Sequence, residues 1–395
     1  MPLILRILLA ALLGAGIGVF APEAMVRGFN TVSMLFESFI KFLIPFIIIF
    51  FIAQGLAQLQ KKSNNIVVSI LLLSFLSTIG AGLLAVGLGL EVIPLFTFEP
   101  VQISHSGQFP PYFQLPLEPM MDILGALILS FIIGIGIQTT HAATLEHVVH
   151  EGQHILQLLL KNIVIPILPL YILSIFVNFS ASGIIVNTFT SYIGVLALVI
   201  VLQAIWLVIL YGITGLVSKR NPWTLLRNML PAYVAAFATM SSVSAIPVSI
   251  RANKNNGVHE SVVNVTVPLC ATIHLSGSII TIITCSLAVL HLVPGLEQPS
   301  LTQILMTLFL LSIVMIAAPG VPGGGVMASL GILTLMFGFN EDAIGLMIAL
   351  YMTQDSFGTA TNVTGDGAIS VMVDKWYGDA DANANANANA NLRTS

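Results

Sequence analysis

Charged residues are scarce in this chain. Lys, Arg, Asp and Glu together make up 8% of its 395 residues, whereas hydrophobic residues make up 56%. Soluble domains average about 25% charged residues, so this composition argues against a soluble fold. The net charge of −4 gives no basis for binding nucleic acid. We therefore predict a membrane protein with many spans, in contact with lipid.

Cysteines and catalytic motifs are also few or absent. The two cysteines, Cys270 and Cys285, fall in one predicted span, so neither a disulfide framework nor a cysteine metal site is expected. No HExxH motif occurs, and the Pro-Gly-Gly-Gly of residues 322–325 lacks the Lys-Ser/Thr of a phosphate loop. No nucleophile–base set is visible. We expect a protein that is not an enzyme, and secondary transport rather than an ATP-driven pump.

Apolar segments long enough to cross a bilayer recur along the chain. They cover residues 3–21, 32–58, 66–96, 119–140, 156–180, 187–217, 260–292 and 343–373. We therefore predict eight transmembrane helices, and interpret the first as a span rather than a signal peptide. The alternating Asn-Ala tract at 377–395 has no apolar face and is predicted to be a disordered tail.

Two further apolar stretches, 223–252 and 301–339, are interrupted at their centres. The first is broken by MSSVSAIP (240–247) and the second by AAPGVPGGG (317–325). Neither half is comfortably long enough to span, and irregular backbone at that depth needs surrounding protein or a water-filled cavity. We predict two re-entrant helical hairpins whose tips meet inside the protein. Two ordinary spans kinked by proline are the alternative.

Basic residues indicate the orientation of these segments. They cluster near boundaries that fall on one side of the predicted topology, at Lys61, Lys62, Lys219, Arg220, Arg251, Lys254 and Lys375. Segments 96–120 and 178–191 contain no Lys or Arg. By the positive-inside rule, both termini are predicted to be cytoplasmic, in a plasma membrane that would be the inner membrane of a bacterium. The two hairpins then enter from opposite sides, which suggests an inverted repeat.

Polar residues interrupt the last predicted span. Asp355, Thr359, Asn362 and Asp366 lie at i, i+4, i+7 and i+11, which places them on a helical stripe about 60° wide. The two carboxylates are about 16 Å apart along the axis. Ionisable residues within a span are costly and usually functional. This face therefore predicts a site for cations or for an ammonium group.

Three other interruptions carry polar groups or flexible backbone. The first tip has three serines, the seventh span has polar side chains around Gly277, and the second tip has four glycines. These residues are Ser241, Ser242, Ser244, Thr272, His274, Ser276, Ser278, Gly320, Gly323, Gly324 and Gly325. Close helix packing is the competing interpretation of the serines. For His274, the competing interpretation is a hydrogen-bonded histidine in the protein core.

Four ordered motifs make the chain resemble the dicarboxylate/amino acid:cation symporter family, the glutamate-transporter homologues. DSFGTATNVTGDG (355–367) is similar to the family's final-helix signature, and GVPGGG (320–325) to its second hairpin tip. MSSVSAIP (240–247) resembles the first tip, and VPLCATIHLSGS (267–278) the unwound seventh helix. The resemblance implies an all-α, elevator-type transporter of eight transmembrane helices and two opposed re-entrant hairpins, assembled as a homotrimer.

The same resemblance divides the chain into a fixed scaffold and a mobile transport unit. The scaffold would take residues 1–65 and 97–182, with helices 1, 2, 4 and 5. The transport unit would take helix 3 (66–96), helix 6 (183–220) and a core (221–376) of hairpin 1, helix 7, hairpin 2 and helix 8. Movement of this unit across the membrane would give alternating access.

The resemblance also implies a substrate site between the final helix and the hairpin tips. Asp355 would hold the α-amino group of an amino acid, Asn362 its α-carboxylate, and Thr359 would lie beside the ligand. The predicted substrate-binding residues are Ser241, Ser242, Ser278, Val321, Pro322, Gly323, Asp355, Gly358, Thr359 and Asn362. The second hairpin would act as the gate over this site.

Two cation sites are implied in the same way. One combines the Asp366 carboxylate with backbone carbonyls, and the other forms from backbone oxygens when the gate closes. The predicted ligands are Cys270, Thr272, His274, Met315, Ile316, Ala318, Asn362 and Asp366. Hard cations prefer oxygen ligands, so Na+ is the expected co-transported ion.

One departure from the family pattern concerns the substrate. Members that carry acidic substrates have an Arg one turn after the amino-binding Asp, and Gly358 stands there in this chain. A guanidinium is the usual partner of a carboxylate in a dry site. We therefore expect a neutral amino acid, and a bulky one given the volume that the missing arginine vacates. A dicarboxylate:cation symporter is the alternative.

A second departure concerns the ions. His274 and Ser276 occupy positions where the family has an amide and an acid. A third sodium site built on that acid should be weak or absent, and histidine can titrate near neutral pH, so H+ coupling stays open. An ion channel or a non-transporting receptor of the same fold is the alternative from another class. Two opposed tips favour a transporter that encloses its ligand.

Overall fold

The computed structural model describes residues 3–58, 65–96, 109–115, 117–181, 185–293, 295–318, 320 and 322–394. Val321, one of the predicted gate residues, lies outside them. The described residues form sixteen α-helices and no β-strand. The prediction of an all-α fold is confirmed.

Eight of these described helices lie in the first half of the chain, joined in places by short turns of other helical types. They are α1 (Leu3–Phe20), α2 (Glu23–Ile47), α3 (Ala53–Gln58), α4 (Asn65–Val92), α5 (Ile123–Thr140), α6 (Ala143–Leu159), α7 (Ile165–Ala181) and α8 (Ile185–Ser218). π-Helical turns at Ile48–Ile52 and Leu160–Val164 connect α2 to α3 and α6 to α7, and a 3₁₀ turn at Ile93–Phe96 follows α4.

The second half contains the interrupted segments. Its helices are α9 (Pro222–Asn228), α10 (Leu230–Thr239), α11 (Ser242–Asn255), α12 (Glu260–Ile273), α13 (Ser276–Leu292), α14 (Leu301–Ala317), α15 (Gly324–Phe337) and α16 (Glu341–Thr394). The helix pairs α10–α11, α12–α13 and α14–α15 correspond to the three breaks predicted from the sequence.

Five helical stretches of the described chain are long and apolar enough to cross a membrane, by length and composition. They are Glu23–Ala57, Asn65–Leu95, Ala143–Ala181, Ile193–Ser218 and Glu260–Leu292. Shorter apolar helices accompany them, including α10, α14 and α15. The prediction of a membrane protein with many spans is therefore confirmed.

Helix α1 packs closely against α7 because glycines remove side chains from the interface. A Cβ atom at Gly14 would lie 2.5 Å from the carbonyl oxygen of Leu173, and one at Gly18 would lie 2.4 Å from that of Val177. Small residues four positions apart let membrane helices approach to backbone contact, where van der Waals packing holds them. The first predicted span is thus built into the helical bundle.

The seventh predicted span divides into α12 and α13 at His274 and Leu275. His274 is extended (φ −106°, ψ 101°), so helical hydrogen bonding stops there. Every residue of α13 from Ser276 to Leu290 is buried, as expected for a helix that packs against neighbours on all sides. The break therefore lies in the interior, where its free backbone groups need partners.

Both interrupted stretches form helix–turn–helix pairs whose tips touch. Helix α10 packs on α11 across Met240 and Ser241, and α14 packs on α15 across a tip that ends at Gly323. Met240 and Gly323 have φ angles of 51° and 73°, in the left-handed region that helps to reverse the chain. The Ser241 hydroxyl donates to the carbonyl of Gly320 at 3.1 Å. The predicted meeting of the two tips is present in the structure.

A polar cluster around Asp374 holds α16 in place. Asp374 lies about 28 Å from Asp355 along the helix axis. Asp374 accepts a hydrogen bond from the backbone amide of His259 at 2.9 Å, contacts the His259 ring at 2.8 Å and pairs with Arg220 at 3.4 Å. Arg220 also donates to the carbonyl of Asn256 at 2.9 Å. These contacts join the last turns of α8 and α11 and the start of α12 to α16.

Helix α16 continues to Thr394. The sequence predicted a disordered tail over residues 377–395, and the structure differs by extending the helix over this tract. The tract repeats alanine at alternate positions, and alanine has the highest helix propensity.

Candidate functional site

Asp355 lies on α16 where that helix passes the second hairpin tip. Its Oδ2 atom accepts a hydrogen bond from the backbone amide of Gly323 at 2.7 Å, and the Thr359 hydroxyl donates to its Oδ1 atom at 3.5 Å. Asp355 is 4% exposed. Within the described part of the chain, no Lys, Arg or His forms an ion pair with it. A buried carboxylate without a cationic partner is suited to bind an ammonium group.

Tyr351, one helical turn before Asp355, also belongs to this site. Its hydroxyl interacts with the Asp355 carboxylate and with the Ser278 side chain, and a Cβ atom at Gly325 would lie 2.5 Å from it. Tyr351 is 1% exposed. Tyr351 is not among the site residues predicted from the sequence. The spacing of four residues from Asp355 is the one signal that could have done so.

Asn362 caps the start of α13. Its Oδ1 atom accepts hydrogen bonds from the backbone amides of Gly277 (2.7 Å) and Ser278 (3.2 Å), and its Nδ2 atom donates to the Ser278 hydroxyl (3.0 Å). The first amides of a helix have no partner within it, and they favour anions. The structure therefore brings two predicted substrate residues together, at amides that could also receive a substrate carboxylate.

Gly358 faces α13 rather than open space. A Cβ atom there would lie 3.5 Å from Oγ1 of Thr281 and 3.6 Å from the carbonyl oxygen of Gly277. Gln203 of α8 donates to the same two oxygens, at 3.0 and 3.3 Å. The wall beside Gly358 is thus polar, uncharged and partly filled. A Cβ atom at Gly358 would meet this wall at ordinary van der Waals distance, and the size of the substrate stays a prediction.

Replacing Gly277 with alanine is expected to destabilise the protein by about 1–3 kcal/mol, the usual cost of overpacking. A Cβ atom at Gly277 would lie 2.4 Å from the carbonyl oxygen of Gly358 and 2.6 Å from Cβ of Thr361, so α13 and α16 would have to separate. Gly87→Ala is the matched control, because nothing lies within 4 Å of a Cβ atom there. Melting temperatures in detergent are the measurement. Equal values for the two variants would contradict this packing.

His274 links Asp366 to α4. Its Nδ1 atom lies 2.8 Å from Oδ1 of Asp366, and its Nε2 atom lies 2.9 Å from the Ser77 hydroxyl. All three residues are buried. Cys270, another predicted ligand, accepts a hydrogen bond at its carbonyl from the His274 amide at 2.9 Å. The family resemblance implied a cation ligand at the His274 carbonyl, whereas here the imidazole contacts the carboxylate itself. A cation at Asp366 would therefore compete with this ring.

The second predicted cation set lies where α12 packs against α14. The Ala318 amide donates to the Met315 carbonyl at 3.4 Å, at the end of α14, next to Ile316. The Thr272 hydroxyl turns back to the Leu269 carbonyl at 2.8 Å. The described side chains include no group of three or more His, Cys, Asp or Glu that could hold a metal. A cation bound here would depend on backbone and hydroxyl oxygens.

The first hairpin tip adds serines to the same region. The Ser241 hydroxyl accepts a hydrogen bond from the Ser244 amide at 3.3 Å while it donates to the Gly320 carbonyl, so it caps α11 and joins the tips. Ser242 is buried, and Pro322 of the second tip is half-buried. The predicted substrate residues that the structure describes thus lie on four segments: the two tips, the start of α13 and the polar face of α16.

This chain is similar to known proteins of one transporter family. The model of the family described as the sodium:dicarboxylate symporter family matches residues 3–376. The chain is also similar to the serine/threonine transporter SstT of Enterococcus faecalis (strain ATCC 700802 / V583). The two are 28% identical over 396 residues, which cover 94% of this chain and 91% of the relative. The family match includes every residue of the site described above.

Proposed function

The chain belongs to the sodium:dicarboxylate symporter family, and from this we propose that it couples sodium influx to the uptake of a neutral amino acid. The predictions of a membrane symporter and of Na+ as the co-transported ion are confirmed by the family. The class of substrate is the part that we infer. The family and the relative are transporters, which implies that the chain is not an enzyme.

The surroundings of Asp355 carry this proposal. The groups found in contact with this buried acid belong to Gly323, Thr359 and Tyr351, and all three are uncharged. An ammonium group would neutralise the carboxylate, whereas a C4-dicarboxylate without an amine has no cation to offer and would be repelled by it. Aspartate and glutamate carry the amine, but their side-chain carboxylate would need a cationic partner of its own. The side chains near Gly358 are also uncharged. Among the described residues there, no guanidinium group is present to pair with the carboxylate of an acidic substrate side chain.

The similar transporter supports a neutral substrate. SstT is named for serine and threonine, which both carry an ammonium group and an uncharged side chain. The site of this chain suits that combination, because Asp355 is the acid and the neighbouring wall consists of hydroxyls and amides. We therefore place neutral amino acids before dicarboxylates as the substrate.

Assembly and movement belong to the same proposal. We infer a homotrimer with cytoplasmic termini, in which scaffold residues 1–65 and 97–182 stay fixed while the transport unit carries substrate across the membrane. The bond from Gly323 to Asp355 supports a gate role for the second hairpin, because it ties the tip directly to the acid. Such a tip would enclose a ligand, which favours a transporter over a channel.

Uptake into proteoliposomes tests the proposed function. We expect labelled serine, alanine or threonine to accumulate when an inward sodium gradient is imposed, and not when choline replaces sodium. Excess unlabelled neutral amino acids should compete, and aspartate or glutamate should not. A pH gradient imposed without sodium tests H+ as the driving ion. Accumulation of aspartate or a C4-dicarboxylate that excess serine leaves unchanged would establish the dicarboxylate alternative.

A further inference from the structure

Tyr351 places a hydroxyl group where three helices meet beside the proposed amine-binding acid. The hydroxyl interacts with Asp355 on its own helix and with Ser278 on α13. The first turn of α15 lies against it, because a Cβ atom at Gly325 would be 2.5 Å from its oxygen. Tyr351 is 1% exposed and Ser278 3% exposed. Two hydroxyls are thus held side by side, away from bulk solvent, next to the acid.

The covalent geometry of an amino acid brings its β-position to these hydroxyls. In serine the hydroxyl oxygen is three bonds from the amine nitrogen, so the two atoms are about 3–4 Å apart. A group that touches the carboxylate holding the amine is therefore within reach of a β-hydroxyl. Phenol and serine hydroxyls can each donate and accept a hydrogen bond. Together they can therefore provide both a donor and an acceptor to the β-hydroxyl of a substrate.

We propose that Tyr351 determines substrate specificity, because its hydroxyl, together with that of Ser278, binds the β-hydroxyl of the transported amino acid. The inference rests on the proposed function and narrows its substrate class to β-hydroxy amino acids. Asp355 would select the amine and Tyr351 would select the side chain.

Alanine is the informative competitor, because it differs from serine only by the hydroxyl oxygen. When alanine binds, buried hydroxyls that would otherwise pair with substrate are left without that partner, and sites of this kind discriminate strongly against the analogue that lacks the polar group. For the wild-type protein we expect at least a tenfold lower half-inhibitory concentration for serine than for alanine or O-methylserine. This measurement needs no variant, and equal inhibition by the three compounds would overturn the inference.

Tyr351→Phe is the direct test. We expect the KM for serine to rise at least tenfold while the KM for alanine changes less than about twofold, so that the preference for serine is lost. Tyr211→Phe is the matched control, because it removes another buried tyrosine hydroxyl that donates to α16, at the Thr364 carbonyl (2.7 Å). Its serine-to-alanine ratio should equal that of the wild type.

The outcomes distinguish a failure of the proposed function from a failure of the role given to Tyr351. If the wild-type protein accumulates no neutral amino acid under a sodium gradient, the proposed function fails. If it accumulates serine and Tyr351→Phe keeps the wild-type preference over alanine, the role of Tyr351 fails and the proposed function stands. If Tyr351→Phe does not fold, competition by alanine and O-methylserine on the wild-type protein decides the inference.

Discussion

Replacing Asp355 with asparagine is expected to lower sodium-driven uptake about 10- to 100-fold. Asparagine keeps the shape of the side chain and an oxygen that can accept from the Gly323 amide, but it removes the negative charge. Charge-assisted hydrogen bonds in a buried site are worth about 1.5–3 kcal/mol, and each 1.4 kcal/mol is about a factor of ten in affinity. The measurement is initial uptake of serine or alanine per folded protein in proteoliposomes.

Asp374→Asn is the matched control for this variant, since it neutralises a second buried acid of the same helix. Asp374 interacts with Arg220 and His259, far from Asp355. Its loss is expected to lower the melting temperature while uptake per folded molecule stays within about twofold of the wild type. Asp355→Asn should show the opposite pattern, with normal stability and little uptake. Normal accumulation by Asp355→Asn would refute the assignment of this residue to the substrate amine.

Replacing Asp366 with asparagine is expected to raise the sodium concentration for half-maximal uptake at least tenfold. Asp366 is the one carboxylate of the predicted cation ligands and is 1% exposed. The other predicted ligands are neutral oxygens, so the carboxylate supplies the charge that balances a bound cation, and cation affinity depends on the number of charged ligands. The measurement is uptake as a function of sodium concentration at fixed substrate.

The contact between Asp366 and His274 requires its own control. Ser77→Ala removes the hydroxyl at the other end of the imidazole while the Asp366 carboxylate and its contact with Nδ1 remain. We expect this variant to keep a sodium activation curve close to that of the wild type. A curve shifted as far by Ser77→Ala as by Asp366→Asn would assign the effect to the position of the ring. An unshifted curve for Asp366→Asn would exclude this acid from the sodium site.

Hydropathy and interruptions in the sequence were sufficient to predict the helical framework. In a bilayer each backbone group must be paired within its own segment, so the length and continuity of apolar runs specify where helices begin and end. The breaks predicted at 240–247, around Gly277 and at 317–325 all appear in the structure, the second of them at His274 and Leu275. Helical periodicity likewise placed Asp355 and Asp366 on one face of α16, because that relation is local to a single helix.

Contacts between helices could not be obtained in this way. His274 and Asp366 are 92 residues apart, and Asn362 and Gly277 are 85 apart. Periodicity shows which face a residue occupies, but it does not show which helix lies opposite or at what distance. For this reason the sequence revealed the missing arginine at Gly358 but not that Thr281 and the Gly277 carbonyl of α13 lie beside that position.

The sequence by itself determined a multi-span, all-helical protein with two interrupted hairpins and two acids inside its last span, because those features depend on local composition and spacing. That it is a symporter followed from the resemblance of its ordered motifs to a known family. Only the tertiary structure decided the partners of those acids. It set Tyr351 and the Gly323 amide against Asp355, and the His274 imidazole against Asp366. The physical reason is that the partner of a buried charge is chosen by how distant helices pack, and that packing minimises the free energy of the whole bundle rather than of any one segment.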